Sequence, residues 1–505
     1  MSIIMFPANS VQHNRPVRFY FRQEICEIIP SHTTQTVLQF LRESCRATGT
    51  KEGCGEGDCG ACTVVIGKLD EQNQLHLEAV NACIQFLPTL DGCALFTIED
   101  LQNLSDDLHP IQHAMITAHG SQCGFCTPGI IMSLWAMYEN SASCPNEEQI
   151  LDALSGNLCR CTGYLPIIDA VKLAYESPRV TFDKAKIIDA LQCLQALPSL
   201  VLMVKDQQFF IPKTLEALAE LYKTYPKARL LSGSTDIGLW VTKQHRQLDN
   251  LIFINHILAL KTINNTADYV EIGAGVSLQD AFTALIAQNS GWQELARRFA
   301  SKQIKNAGTL GGNIANGSPI GDSMPALIAQ SAKLVLRCGE QVRKLALDEF
   351  YIAYQKNALQ PSEFITAIQV PNHQNLPDEL SYFATYKVAK RFDADISAVC
   401  GAYFVKLDKQ NKVSEIRIVY GGMAEIPKRA KHLEAALHNQ EWLEANIDNA
   451  LSKIEQDFSP LTDGRASAHY RLLVAKNLLK RFYFESQVID GTTNEPKLIR
   501  LTQIA

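Results

Sequence analysis

"KEGCGEGDCGACTV", residues 51–64, is the stretch on which the reading of this chain turns. Cys54, Cys59 and Cys62 share residues 53–62 with Gly53, Gly55, Gly57 and Gly60. Thiolates gathered around a metal centre concentrate negative charge, and hydrogen bonds to their sulfurs tune that centre. A loop that wraps such a centre must aim backbone N–H groups inward, through unusual dihedrals and close approach. Glycine permits both.

The spacing is C-x4-C-x2-C, with Cys83 following after twenty intervening residues. That is the plant-type ligand pattern for a [2Fe–2S] cluster. A structural zinc site is the alternative, although zinc sites usually pair C-x2-4-C knuckles. The flanks agree with the cluster. "RPVRFYFRQEICEIIP", residues 15–30, reads as a β-hairpin broken at Arg22-Gln23-Glu24. "TTQTVLQFLRESC" places Val37, Leu38 and Leu41 at helical spacing, and strands are expected around "CTVVIGKL" and "QLHLEAVNACIQF". Hairpin, helix, loop and strands in that order suit a small ferredoxin-like β-grasp unit.

A second cysteine set lies downstream. Cys123 and Cys126 sit in "GSQCGFCTPG", Cys159 and Cys161 in "GNLCRCTGY", giving C-x2-C-x32-C-x-C. C-x2-C alone also suits a zinc knuckle or a thioredoxin-like redox pair. The C-x-C partner is unusual for zinc, and no βαβ context supports thioredoxin. Each pair precedes a predicted helix, whose N-terminal dipole favours thiolates. A second [2Fe–2S] cluster is the reading. "HPIQHAMITAHG", "GIIMSLWAMYEN", "NEEQILDALSG" and "YLPIIDAVKLAYE" predict a four-helix bundle with the cysteines at helix ends.

The whole chain is consistent with this. Its 505 residues are too many for one ordinary core. Apolar residues make up 46% and charged residues 20%, with a net charge of −6 and no basic stripe of the kind that binds nucleic acid or anionic membranes. The N-terminus lacks a secretion signal, and no apolar run of about 18 residues spans a bilayer. A cytoplasmic protein follows, in which clustered cysteines read as metal ligands rather than disulfides. Twelve of fifteen cysteines precede residue 165. Cys26, Cys45, Cys93, Cys144, Cys193, Cys338 and Cys400 read as buried or incidental thiols.

Residues 177–200 read as a linker, with "KIIDALQCLQAL" as a helix candidate inside it. From about residue 209 strands and helices alternate. "LLSGSTDIG", residues 230–238, follows a predicted strand, and its small residues and backbone N–H groups could cradle a pyrophosphate. "NAGTLGGNIANGSPIGD", residues 306–322, reads as a glycine- and asparagine-rich loop and a second anion-binding candidate. No G-x-G-x-x-G occurs, and "GAGVSL" at 273 reads as strand and turn. After Pro371 a last α+β unit is expected, with strands "ISAVCGAYFVKL" and "VSEIRIVYGGMA" and late helices.

A plant-type cluster module followed by "CGFCTPG" and "GNLCRCTGY" resembles the xanthine oxidase family of molybdenum hydroxylases, over about residues 15–490. The resemblance implies a multidomain α+β chain. Its expected parts are a β-grasp [2Fe–2S] ferredoxin domain (15–98), a four-helix-bundle [2Fe–2S] domain (99–176), a linker (177–205), a non-Rossmann α+β FAD domain (206–372) and a C-terminal α+β flavoprotein domain (380–490). It implies Cys54, Cys59, Cys62 and Cys83 as ligands of one cluster and Cys123, Cys126, Cys159 and Cys161 of the other. The FAD contacts it implies are Leu230, Leu231, Ser232, Gly233, Ser234, Thr235, Asp236 and Ile237, then Thr309, Leu310, Gly311, Gly312 and Asn313, with Phe299, Asp322, Ile365 and Lys387. Taken by themselves, Phe299 reads more readily as a core aromatic and Lys387 as a solvated charge, and only the resemblance reverses that. Gln122 matches a family position facing the pterin, and also reads as a surface glutamine.

In that family, hydroxylation takes place at a molybdenum cofactor in a large domain that this sequence lacks. The expectation is therefore the small, electron-transfer subunit of a split bacterial enzyme oxidising hypoxanthine and xanthine to urate. Electrons would pass from molybdenum on a large partner subunit through the two [2Fe–2S] clusters to FAD and on to NAD+. No catalytic residue is expected in this chain, and the assembly implied is a heterotetramer of two small and two large subunits. The rivals are the small subunit of an aldehyde or N-heterocycle hydroxylase, a zinc-stapled interaction protein without redox activity, and a free-standing NADH diaphorase.

Overall fold

Alternate residues of Val17–Phe21 enter different cores. Phe19 and Phe21 pack with Val37, Leu38, Phe40 and Leu41, while Tyr20 packs with Val65, Leu77, Phe96 and Trp135. A side-chain period of two makes one strand feed both faces of its sheet, and both faces here are covered. The sheet has five strands in the order Glu24–Ile28, Val17–Phe21, Ala94–Phe96, Thr63–Leu69, Leu75–Asn81. Val17–Phe21 runs parallel to Ala94–Phe96, and the other pairings are antiparallel. The expected hairpin is present. It turns on Arg22 and Gln23 alone, both left-handed at φ 51° and 68°, and Glu24 opens the return strand.

This computed structural model describes residues 12–103, 108–180, 182–373, 380–392 and 395–487. Residues 1–11 lie outside them, as do Asp393 and Ala394 and the last positions of the expected C-terminal domain. The chain forms two units. Residues up to 258 join residues 300–308 in the first, and residues 259–299 join those from 309 onward in the second.

In the first unit the helix expected after the hairpin starts at Val37. Thr36 Oγ accepts from Gln39 N at 3.1 Å and Gln39 Oε1 accepts from Thr36 N at 2.9 Å, a reciprocal capping box. It continues as a π-turn over Phe40–Ser44. The four predicted helices form as Pro110–Thr117, Thr127–Asn140, Glu147–Leu154 and Leu165–Glu176, and bury Ile111, Trp135, Ile150, Ile167 and Val171 in the second core. The expected linker is largely structured. Its helix, Lys184–Gln195, sinks Ile187, Leu191 and Leu194 into that same core at i, i+4 and i+7. Leu200–Val204 then pairs with Gln207–Ile211, so a boundary at residue 206 falls inside a hairpin. These strands continue into Asn250–Phe253 and Arg229–Leu231, which are parallel to each other. Leu200, Phe209, Leu231 and Leu251 extend the core begun by Phe19.

The second unit carries two larger sheets besides the small antiparallel pair of Tyr351–Ala353 with Lys356–Asn357. An antiparallel one runs Ile263–Asn265, Tyr269–Gly273, Phe364–Pro371, Lys333–Cys338, Gln341–Ala346. The other runs Leu380–Val388, Val399–Leu407, Val413–Gly421, Lys428–Arg429. The 20-residue Ala468–Gln487 helix covers it, with Phe482 stacked on Tyr403 at 5.3 Å between ring centroids. Part of the expected loop at 306–322 is helix, Leu310–Asn316. Thr309 caps it, and Gly317, left-handed at φ 59°, ends it. No helix among the described residues is long and apolar enough to cross a membrane.

Candidate iron–sulfur and flavin sites

The first cysteine loop turns its backbone toward sulfur. Cys54 Sγ accepts N–H groups from Glu56 at 3.4 Å, Asp58 at 3.4 Å and Cys59 at 3.3 Å. Gly55, Gly57 and Gly60 are left-handed, at φ 66°, 79° and 71°, a conformation an L side chain resists. The Cys54 thiol and then the Cys62 thiol beside it push the Cys83 thiol, just past the Leu75–Asn81 strand, well above the ordinary range. Bonding from Cys59 and then from Cys83 holds the Cys54 thiol well below the ordinary thiol range. Cys62 and Cys83 are buried, Cys54 and Cys59 half-buried. Among the described residues no three His, Cys, Asp or Glu are arranged to hold one metal ion; these thiols approach pairwise. Four neighbouring thiols, with three backbone N–H groups aimed at the Cys54 sulfur, are a donor set that fits an iron–sulfur cluster.

The second set is likewise assembled from distant parts of the chain. Cys123 and Cys161 lie 3.8 Å apart between sulfurs. Burial, then the Cys159 thiol beside it, pushes the Cys126 thiol up to about 12. Cys126 precedes the Thr127–Asn140 helix, and Thr162 Oγ donates to Cys159 Sγ at 3.3 Å. Tyr164 OH accepts from Cys159 N at 2.8 Å and donates to Asn157 O at 2.9 Å, which ties the C-x-C turn to the residue before Leu158. Cys123, Cys161, Gln122, Phe125 and Leu158 are exposed.

The two loops touch. A Cβ on Gly60 would lie 2.1 Å from the Gly156 carbonyl oxygen, and a Cβ on Gly129 would lie 2.1 Å from that of Gly60. Leu158 N donates to Cys59 O at 3.0 Å, a bond between neighbours of both cysteine sets. Asn157 Nδ2 reaches Gly60 O at 3.2 Å and Thr63 Oγ at 3.1 Å. The fully buried Gln303, from the Lys302–Ala307 helix, donates to Asn157 Oδ1 at 2.8 Å and Ser133 Oγ at 3.0 Å. Sequence reasoning missed Gln303 and Asn157. The one available signal was polar residues beside cysteine motifs, and Gln303 lies far from both in sequence.

The residues expected to hold FAD fall in both units. In the first, Leu230 and Leu231 end the Arg229–Leu231 strand, and Ser232 Oγ donates to Asn255 Oδ1 at 2.5 Å. A Cβ on Gly233 would lie 2.0 Å from Ala307 O, so only glycine fits. Ser234 is left-handed at φ 61° and buried, and its hydroxyl has no hydrogen-bond partner. Thr235 is half-buried, Asp236 is exposed, and Ile237 opens the Ile237–Thr242 helix. A strained turn with an orphaned hydroxyl fits a ligand rich in acceptor oxygens.

In the second unit Thr309 Oγ accepts from Gly312 N at 3.1 Å, and Asn313 Oδ1 accepts from Ser323 Oγ at 2.5 Å. Gly311 packs on Ala274, where a Cβ would lie 2.5 Å away, and Leu310 is buried. Lys387 is no solvated charge. It is buried, and Nζ donates to Asp322 Oδ2 at 2.5 Å and Ser397 Oγ at 2.9 Å. Asp322 Oδ1 is buried without a partner. Phe299 is buried edge-on to Phe282, and Ile365 is buried where the Phe364–Pro371 pairing is bulged.

Comparison with known proteins follows this order of parts. Residues 25–87 match the 2Fe-2S iron-sulfur cluster binding domain and residues 97–172 the [2Fe-2S] binding domain. Residues 204–373 match the FAD binding domain in molybdopterin dehydrogenase, and residues 384–486 the CO dehydrogenase flavoprotein C-terminal domain. Xanthine dehydrogenase of Emericella nidulans is 30% identical over 93% of this chain and 38% of its own length. Xanthine dehydrogenase 2 of Arabidopsis thaliana is 30% identical over 84% and 36%. The chain thus spans well under half the length of these relatives. A chain of carbon monoxide dehydrogenase from Hydrogenophaga pseudoflava, in a form lacking the Mo-pyranopterin moiety of its cofactor, aligns at TM-score 0.50 and 27% identity. It covers 54% of this chain and 94% of its own. The molecule is a multidomain α+β protein with two [2Fe–2S] domains, a FAD-binding domain and a flavoprotein C-terminal domain. With these four domains in this order, the chain belongs to the xanthine oxidase family of molybdenum hydroxylases as its iron–sulfur and FAD portion.

Proposed function

We propose that the chain is the electron-transfer subunit of a xanthine dehydrogenase, working in the cytoplasm beside a larger, molybdenum-binding partner in a heterotetramer of two small and two large subunits. When bound, the clusters supply one-electron transfer from the partner's molybdenum, and FAD the conversion to two-electron reduction of NAD+ as hypoxanthine and xanthine are oxidised to urate. Cys54, Cys59, Cys62 and Cys83 would hold one cluster and Cys123, Cys126, Cys159 and Cys161 the other. Leu230–Ile237, Phe299, Thr309–Asn313, Asp322, Ile365 and Lys387 would hold FAD. The observation that carries this reading is the contact between the two cysteine loops, where glycines meet and Leu158 N bonds to Cys59 O. These bonds join the two cysteine loops directly, backbone to backbone and through Asn157. The exposed Cys123, Cys161, Gln122 and Phe125 leave the second set at a surface that a partner subunit could cover.

The substrate belongs to the partner. The likeness to a carbon monoxide dehydrogenase chain favours, as a second reading, the same relay serving another hydroxylase, of aldehydes or N-heterocycles. Anaerobic purification with any co-purifying partner, followed by iron, zinc, molybdenum and flavin quantitation, tests both. About four irons and one FAD per chain, with molybdenum in the partner alone, is the expected result. Zinc in place of iron, or no flavin, would overturn the relay, and turnover of aldehyde but not xanthine would favour the second reading.

A further inference from the structure

The Ile237–Thr242 helix starts against the residue after Cys83 and ends against the first cysteine loop. Near its start, a Cβ on Gly238 would lie 2.6 Å from the carbonyl oxygen of Ile84, the residue after Cys83. Just past its end, Lys243 Nζ donates to the carbonyl oxygen of Cys54 and lies 3.9 Å from the Glu56 carboxylate. The same ammonium would be 3.7 Å from a Cβ on Gly55. A cation thus rests on the ligand loop, which itself carries Glu52, Glu56 and Asp58 against Lys51.

We propose that Lys243 is a positioning residue that raises the reduction potential of the cluster held by Cys54, Cys59, Cys62 and Cys83. This rests on the reading of those cysteines as cluster ligands. Reduction adds an electron to a centre already negative from its thiolates and sulfides, so a nearby fixed cation favours the reduced form. The bond to Cys54 O fixes where the charge stands. Lys243 is half exposed, so its effect weakens as salt screens it. The Leu230–Ile237 turn leads directly into this helix, so the sequence that would hold FAD also delivers the charge.

The test is a redox titration of the full chain followed by electron paramagnetic resonance, with no turnover required. In Lys243→Gln the reduced fraction of one cluster at fixed potential should fall about two- to five-fold, and further in Lys243→Glu. Lys243→Arg should retain it, the other cluster should not move, and the difference should shrink at high salt. Unmoved potentials in Lys243→Glu would overturn the inference while leaving the clusters standing. Equal movement of both clusters would mark a general structural effect and overturn it too. Absence of any iron–sulfur signal in the unmodified chain would overturn the reading beneath it.

Discussion

Gly60 and Gly129 meet backbone against backbone: a Cβ on Gly129 would sit 2.1 Å from the Gly60 carbonyl oxygen. No rotamer relieves a clash with a carbonyl, so Gly129→Ala must push the cysteine loops apart. Overpacking of this kind costs about 1–3 kcal/mol. Gly60→Ala adds about 1–2 kcal/mol for a side chain in the left-handed region. Both variants should melt earlier and retain fewer irons per chain. An alanine at 129 with unchanged melting and iron content would contradict the close approach.

Lys387 and Asp322 form a pair with both side chains almost wholly buried. Lys387→Met strands the carboxylate, and breaking such a pair by one partner costs about 3–5 kcal/mol. Asp322→Asn added to it should recover part of that loss, because the stranded charge is gone. Denaturant unfolding of the two variants measures this, and flavin content read alongside tests the assignment of both residues to FAD. Additive losses in the double variant would refute the coupling.

Asp152 accepts from Lys305 at 2.9 Å and lies 3.6 Å from Lys302. Burial raises its carboxyl, but the two ammonium groups outweigh burial and leave it below the ordinary value. A folded-state value below the unfolded one stabilises at neutral pH, and the contribution is lost as pH falls below about 4. Melting temperatures between about pH 7 and pH 3 should therefore decline less steeply in Asp152→Asn than in the parent, starting from a lower value at pH 7. Parallel curves would show that the contact contributes nothing.

Arg22 and Gln23 both occupy the left-handed region in a two-residue hairpin turn, where Asn-Gly is the favoured pair. Arg22→Asn with Gln23→Gly removes that strain and forfeits the Arg22 guanidinium over the Phe21 ring. A net gain of about 0.5–1 kcal/mol is expected, read from the denaturation midpoint. A loss would mean that the cation–ring contact dominates the turn.

What could be read from the sequence was local. Cysteine ligand spacing, glycines beside thiols and the apolar period of "GIIMSLWAMYEN" each lie within a dozen or so residues. The fold hid what depends on distant contacts. Leu310–Asn316 reads as a loop because glycine and asparagine disfavour helix, yet Thr309 caps it and Gly311 presses on Ala274. Leu380–Val388 went unread as a strand, although it pairs along its whole length with Val399–Leu407. Lys387 looks solvated until Asp322 and Ser397, 65 and 10 positions away, close around it. Gln303 finds Asn157 across 146 positions.

Residues 300–308 lie in the first unit although the sequence on either side belongs to the second. Their helix supplies Gln303 to the junction, Lys305 to Asp152, and Asn306 Nδ2 to Ala79 O at 3.0 Å. A ribosome must therefore deliver some three hundred residues before the cysteine-bearing half can close, however early its ligands emerge. A fragment cut after residue 258 would carry all eight candidate ligand cysteines and still lack a piece of its own interior.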